Sequence, residues 1–174
     1  GNDFVESDPA SIETGFNVNY TAVAGATNYQ LYKDGVLMEG KTSTVTSISD
    51  RDVVDQQKTT EQTYNYMVCS MGGSPRTVAG KTVVTLPCLE KDALSFEIKV
   101  QAMPTEFVMN GFNATWSPVS GANGYSVQYD GQYKTANGSD CDLQMLEAGR
   151  HDISVCTRGN GGRTLASQYT ATIA

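Results

Sequence analysis

Phe16, Val18 and Tyr20 alternate with Asn17 and Asn19, and Tyr29 and Leu31 flank Gln30 in the same rhythm. A period of two predicts half-buried β-strands, and it returns at Tyr64, Tyr66 and Val68 and at Phe96, Ile98 and Val100. Turn residues separate these runs: Gly25-Ala26, Asp34-Gly35, Gly72-Gly73-Ser74-Pro75 and Asp130-Gly131. Asp-Gly tolerates positive φ, so two of these predict tight hairpins. Asp3 to Glu6 reads as a short edge strand broken by Pro9, and Thr77 to Leu86 as the last strand of the first half. Ser49 to Thr63 is polar and, apart from Val53-Val54, without apolar period; it predicts a long loop. No segment carries a helical period over a useful length. Short strands with turns about every ten residues predict an all-β sandwich.

The pattern occurs twice. Phe16 to Gly35 returns as Phe112 to Gly131 at a constant offset of 96, with 8 of 20 positions identical, including both glycines and the Tyr at 29 and 125. His151 to Cys156 matches Tyr64 to Cys69 at an offset of 87, and Thr164 to Ile173 matches Thr77 to Leu86 at the same offset. The offset falls because the loop after Ile48 is longer than its counterpart after Leu146. An internal repeat of this length predicts two similar modules, 1–87 and 94–174, joined by a short linker at 88–93 that follows Pro87 and carries mixed charges.

Trp116-Ser117-Pro118-Val119-Ser120-Gly121-Ala122-Asn123-Gly124-Tyr125-Ser126-Val127 resembles the second-to-third-strand signature of fibronectin type III domains, and Leu146 to Val155 resembles their fifth-to-sixth-strand corner. The resemblance implies two tandem immunoglobulin-like sandwiches of a family that serves in adhesion, receptor ectodomains and secreted enzymes. Tyr20 stands where the family usually has Trp. His151 stands where it usually has the corner Tyr, which Tyr64 retains. The expectation is that Tyr20, Tyr64, Trp116 and His151 mark the core, each ring filling space while its N–H or O–H reaches a partner. Reflecting the chain about the corner near 148 and 149 places Cys141 level with Cys156 on strands of opposite sheets of this fold. A disulfide there would close a 15-residue loop and stabilise by about 3 kcal/mol. Cys69 and Cys88 stay open between free thiols, an irregular pair and small core residues.

Composition narrows the function. A net charge of −7 with no Lys/Arg cluster repels phosphate backbones, so no nucleic acid partner is expected. No run of 18 apolar residues exists to span a membrane. Four cysteines in an acidic, Thr/Ser/Asn-rich β chain favour an oxidising compartment. The start at Gly1 reads as trimmed, and the expectation is a secreted or surface protein, lipid-anchored in one version through a removed leader.

Candidate chemistry is sparse. His151 is the sole histidine, with no base or nucleophile beside it in sequence, and neither a catalytic, cofactor nor metal site is expected. Asp50, Asp52 and Asp55 lack the glycine and terminal Glu of a calcium loop and read as solvated acid. Arg158-Gly159-Asn160 lies in the loop that carries an Arg-Gly-Asp attachment site in some relatives of the resembled family, but has Asn in place of Asp. Of three glycosylation tripeptides, only that at Asn137 sits in a turn. Tyr32, Tyr129 and Tyr133 lie in or beside the hairpins, where exposed rings stack on sugars or anchor proteins.

These observations predict a non-catalytic interaction or adhesion module binding a protein or glycan at a cell surface. Its ligand contacts are expected at the loop tips, Gly72, Gly73 and Arg76 in one module and Arg158, Gly159 and Asn160 in the other, and on the face bearing the hairpins. The alternative is a spacer or substrate-binding accessory of a larger secreted carbohydrate-active or proteolytic system.

Overall fold

The computed structural model describes residues 4–72, 76–78, 81–83, 94–144 and 151–173, and so the expected linker lies outside the described residues. The described chain is all-β apart from a single 3₁₀ turn at Ser11–Glu13. It forms two compact units that interleave along the sequence. One, the first-repeat unit, holds Phe16–Arg51 and Thr63–Ile98; the other, the second-repeat unit, holds Gly1–Gly15, Asp52–Gln62 and Lys99–Ala174.

In the first-repeat unit β1 (Phe16–Asn19) must be followed by turns before β2 (Asn28–Lys33), β3 (Val36–Ser43), β4 (Ser47–Asp50) and β5 (Gln62–Met71) can pair. β1 pairs antiparallel with β4, with Val18 opposite Ile48. β2 pairs with β3 on one side and β5 on the other. The run expected as a single strand from Thr77 is instead a small hairpin of β6 (Arg76–Val78) and β7 (Lys81–Val83). β8 (Leu94–Val100) lies on the far side of β5. Alternation decides what is inside: Tyr29 and Leu31 of β2, Tyr64, Tyr66 and Val68 of β5, and Phe96 and Ile98 of β8 are buried. Phe16 of β1 meets Tyr66 edge-on at 4.7 Å and Phe96 at 5.3 Å, so the two sheets face one another through an aromatic centre.

The second-repeat unit follows the same plan. β9 (Val108–Asn110), β10 (Asn113–Thr115) and β13 (Asp140–Asp142) form one sheet; β11 (Tyr125–Tyr129), β12 (Gln132–Ala136) and β14 (Ile153–Thr157) form the other. Ala114 and Cys141 from the first sheet pack with Tyr125, Val127, Ile153 and Val155 from the second, and Trp116 and Leu143 close the ends. β15 (Thr164–Leu165) pairs in parallel with Lys99 and Val100, and the chain then runs beside β14, where Ile153 and Ile173 exchange hydrogen bonds of 3.1 and 2.8 Å. Facing sheets built from hairpin-linked strands make both units immunoglobulin-like, fibronectin type III-like sandwiches.

Two segments of the second-repeat unit come from early in the sequence. Residues 4–15 lie on it as an extended strap in which the expected strand at Asp3 to Glu6 reduces to one bridge, Val5 to Tyr133 on the edge of β12. Residues 52–62, most of the long loop, bury Val53 there and supply the Thr59 carbonyl that accepts from Met103 N–H at 2.8 Å. The long loop is thus anchored to this unit at Val53 and Thr59, while Asp55 to Glu61 are exposed, as the polar sequence predicts.

Core roles differ between the repeats. Trp116 and Tyr64 are buried as expected of core markers, whereas Tyr20 and His151 are only half-buried. Tyr20 lies one residue past β1, so its ring tilts onto Tyr29 at 4.6 Å and its hydroxyl reaches out to donate to the Val45 carbonyl at 2.9 Å. The Trp116 ring N–H, by contrast, is buried with no hydrogen-bond partner, contrary to the expectation that it would find one.

Candidate interaction surfaces

The repeat fixes the hairpins physically. Asp34 and Gly35 have φ of 50° and 80°, Asp130 and Gly131 46° and 81°, as a two-residue turn with both φ positive requires. Each Asp then ties its hairpin to the neighbouring strand in the same manner. Asn65 N–H donates to Asp34 Oδ1 at 2.8 Å, and Asp152 N–H to Asp130 Oδ1 at 2.7 Å. A second pair of matched bonds runs from Val23 N–H to the Tyr29 hydroxyl, 3.1 Å, and from Val119 N–H to the Tyr125 hydroxyl, 2.8 Å. The conserved spacing inside the chain is therefore scaffold, and the variable positions carry the surface.

On the first-repeat unit the β2–β3 hairpin presents apolar groups to water. Tyr32 lies opposite Leu37 on the two strands, Val36 is 69 % exposed and Leu37 42 % exposed, and Lys33 sits over the Tyr64 ring at 4.1 Å. Beyond the hairpin, the outer side of β1 and β4 with the end of β3 forms a cleft of about 290 Å³ lined by Asn17, Lys41, Thr42, Ser43, Ser47 and Ser49. Ile48 and Asp50 point inward on the same strand; buried Asp50 accepts from the Tyr66 hydroxyl at 2.9 Å and faces Lys41 Nζ at 3.9 Å. Burial and the neighbouring carboxylate push the Tyr66 hydroxyl far above the usual tyrosine range.

The loop tips expected to contact a ligand are mostly occupied internally. Gly72 is buried with φ of 102°, and a Cβ there would collide with the Thr27 side chain, so it is a packing glycine. Gly73 lies outside the described residues, and Arg76 opens β6. Arg158 is drawn inward: its Nε donates to Glu13 Oε1 at 2.8 Å, and its Nη2 lies 2.6 Å from the same oxygen. Gly159 is buried against the backbone of Thr164 and Leu165, where a Cβ would collide. Asn160 is exposed, yet its Oδ1 accepts from Gly162 N–H at 2.8 Å and Thr164 N–H at 3.1 Å, which spends the side chain on closing the turn. The Arg158 guanidinium, expected at a ligand contact, is paired with the buried Glu13 carboxylate.

His151 faces the second hairpin. Its Nδ1 lies 2.6 Å from Asp130 Oδ2 and 3.2 Å from the Tyr129 hydroxyl. The hydrogen bond from His151 holds the Asp130 carboxyl below its ordinary value of 3.8. Folded Asp130 thus binds its proton less tightly than unfolded Asp130, so its stabilisation is present above about pH 4 and lost as pH falls through the folded value. Because Asp130 is 40 % exposed, solvent screening keeps the contribution small. Asp130→Asn is expected to flatten the acid limb of the stability curve below pH 4, checked by urea midpoints from pH 2 to 6; an unchanged limb would remove this pair from the account. Among the described residues no group of three or more His, Cys, Asp or Glu is placed to hold a metal ion. Of the acids considered for calcium, Asp50 is the buried partner of Tyr66, and Asp55 caps its own turn by accepting from Gln57 N–H at 2.9 Å.

The cysteines also depart from expectation. Cys141 and Cys156 are both free and buried. The reason is parity: Ile153 and Val155 of β14 point into the core that holds Cys141, so Cys156, one residue on, points to the opposite face among Ala10 and Ala166. Cys69, its repeat counterpart, is disulfide-bonded, and Cys88 lies outside the described residues. Burial pushes the Cys156 thiol up to about 12 and the Cys141 thiol up as well. Oxidised protein is therefore expected to show no thiol reactive at pH 8 when native and two after denaturation, by a colorimetric thiol count; a native count of one or more would contradict the burial.

Sequence reasoning missed the polar lock beneath the strap. The Tyr169 hydroxyl donates to Asp8 Oδ1 at 2.6 Å and lies 2.8 Å from Ser126 Oγ, while Ala10 N–H donates to the same Asp8 oxygen at 2.9 Å. Asp8 and Tyr169 stand 161 residues apart, and no local motif links them.

No family model matches the chain, and no curated protein matches it. Among solved structures, the central fibronectin-III array of RIM-binding protein aligns over 97 % of this chain and 95 % of that one, at 12 % identity and a TM-score of 0.29. The sandwich assignment rests on strand pairing and facing sheets within each unit.

Proposed function

We propose that this chain is a non-catalytic interaction module working outside the cell or at its surface, and that it binds a protein through the β2–β3 hairpin of the first-repeat unit. The observation that carries the reading is the cross-strand pair of exposed Leu37 and half-buried Tyr32, with Val36 exposed beside Lys33 on the other face of the same hairpin, whose turn is tied by Asp34. Exposed apolar groups on a fixed scaffold supply the buried centre of a protein contact. The disulfide at Cys69 supports an oxidising compartment.

The polar cleft at Asn17, Lys41 and Ser47 favours a second reading, a carbohydrate-binding accessory module of a larger secreted system, since its lining offers hydroxyl, amide and ammonium groups to a polyhydroxylated ligand. One experiment separates them. The protein is applied to an array of secreted and surface proteins and to a glycan array, alongside Val36→Glu/Leu37→Glu and Lys41→Ala/Ser47→Ala. Protein binding lost only in the hairpin variant is the expected result. Glycan binding lost only in the cleft variant would overturn it in favour of the accessory reading.

A further inference from the structure

The second-repeat unit borrows residues 4–13 to complete itself. Val5 exchanges two 2.8 Å hydrogen bonds with Tyr133 on the β12 edge, and Phe4 packs beside Tyr129, ring centroids 5.6 Å apart. Ala10 seals Cys156 and Ala166, and Asp8 takes the Tyr169 hydroxyl. Glu13, 1 % exposed, accepts from Arg158 through Oε1, and its carbonyl accepts from Ala166 N–H at 2.8 Å. The surface under the strap is thus complementary to an extended segment with an aromatic-apolar pair at one end and two spaced carboxylates behind it.

The strap is held without being fully satisfied. Glu13 Oε2 is buried with no hydrogen-bond partner, Val5 and Ile12 are 47 % and 69 % exposed, and the only regular structure is one 3₁₀ turn. Such a segment opens locally at lower free energy than a core strand. It leaves the unit through Thr14-Gly15, after which Phe16 begins β1.

We propose that residues 4–13 are an exchangeable strap, and that the surface beneath it accepts the same segment from a second copy of this chain, joining two copies reciprocally. The occupant is named by charge as well as shape: the acceptor offers the Arg158 guanidinium and the Tyr169 hydroxyl at the positions where a second copy brings Glu13 and Asp8. Identical copies exchange without any new contact, because every bond made in one chain is remade between two.

A charge swap tests this on the full chain. Glu13→Arg alone sets Arg against Arg158, and Arg158→Glu alone sets Glu against Glu13, so each variant repels its own strap. In an exchanged pair of one copy of each, both contacts join opposite charges again. The expected result is that each variant alone is monomeric by light scattering, with Cys156 labelled by a thiol reagent about a hundredfold faster than in the unaltered chain, since opening limits access. The equimolar mixture is expected to give a dimer with one copy of each and Cys156 protected. Two monomers in the mixture, both still labelled, would overturn exchange, as would dimers of either variant alone. Should a variant fail to fold by itself, a fluorescent peptide of residues 4–14 carrying Glu13→Arg is titrated into full-length Arg158→Glu protein refolded with it. Binding about tenfold tighter than that of the unaltered peptide is expected from like-charge repulsion, and no preference would overturn the proposal.

Discussion

A fragment of residues 94–174, which contains the whole second repeat, will show no cooperative thermal unfolding by circular dichroism and a collapsed, poorly dispersed amide spectrum. The fragment lacks the strap and the 52–62 segment, both parts of the unit built on that repeat. Ala166 N–H and Met103 N–H lose the carbonyls of Glu13 and Thr59, two hydrogen bonds worth about 0.5–1.5 kcal/mol each. Val53, 1 % exposed, is gone from its slot, a further burial of about 1.5–3 kcal/mol. Ala10 no longer covers Cys156, and the β12 edge at Tyr133 is left open to pair with other chains. Against a typical domain stability of about 5–15 kcal/mol these losses, with the ion pair of Glu13 and Arg158 and the cover over Cys156 also gone, remove a large part of the margin. A sharp melt and a dispersed spectrum from the fragment would show that strap and loop are ornaments on an autonomous fold. A full-length sample in the same buffer serves as the reference.

How much was legible follows from the range over which each signal acts. Hairpins and strands were readable because Asp34-Gly35 and the alternation at Tyr64, Tyr66 and Val68 act within a few residues, and the repeat doubled every such signal. The membership of residues 4–15 was not readable. Its bonds join Asp8 to Tyr169 and Glu13 to Arg158 across 161 and 145 residues, and nothing local about Ser11-Ile12-Glu13 announces a buried carboxylate. The same limit hid the partner of Arg158. Arg158 looked like a loop tip by analogy of position, but a long side chain near a turn is free to fold inward when a distant acid is brought beside it. The disulfide between Cys141 and Cys156 failed for a reason that was local: with Val155 read as core, period two already sends Cys156 to the other face.

Trp116→Ala will be the most damaging single substitution among the four ring positions aligned by the repeat, and Tyr20→Ala will be mild by comparison. Trp116 is 4 % exposed at the end of the second-repeat core, meeting Tyr125 at 5.2 Å and Phe107 at 6.2 Å, both edge-on. Removing it leaves a cavity walled by two rings on different segments, which close-packed strands collapse into poorly; the cost is about 3–5 kcal/mol. Its ring N–H has no hydrogen-bond partner, so no hydrogen bond is lost with the side chain, and relief of that unmet donor draws the cost toward the lower end of the range. Tyr20, although it aligns with Trp116, is half-buried and anchored by one exposed hydroxyl bond to Val45, so its removal opens a surface notch that water fills. That places its cost at about 1–2 kcal/mol. Urea unfolding of both variants, with midpoints read at constant slope, measures the difference. Equal losses would mean that the ring at position 20 fills a core as Trp116 does; a smaller loss at Trp116 would mean that the second-repeat core repacks around the gap. The asymmetry matters for function because Tyr20 is tied to Val45, two residues from the Ser43 that lines the polar cleft, and a ring that need not serve as the keystone of a core is available to shape a surface.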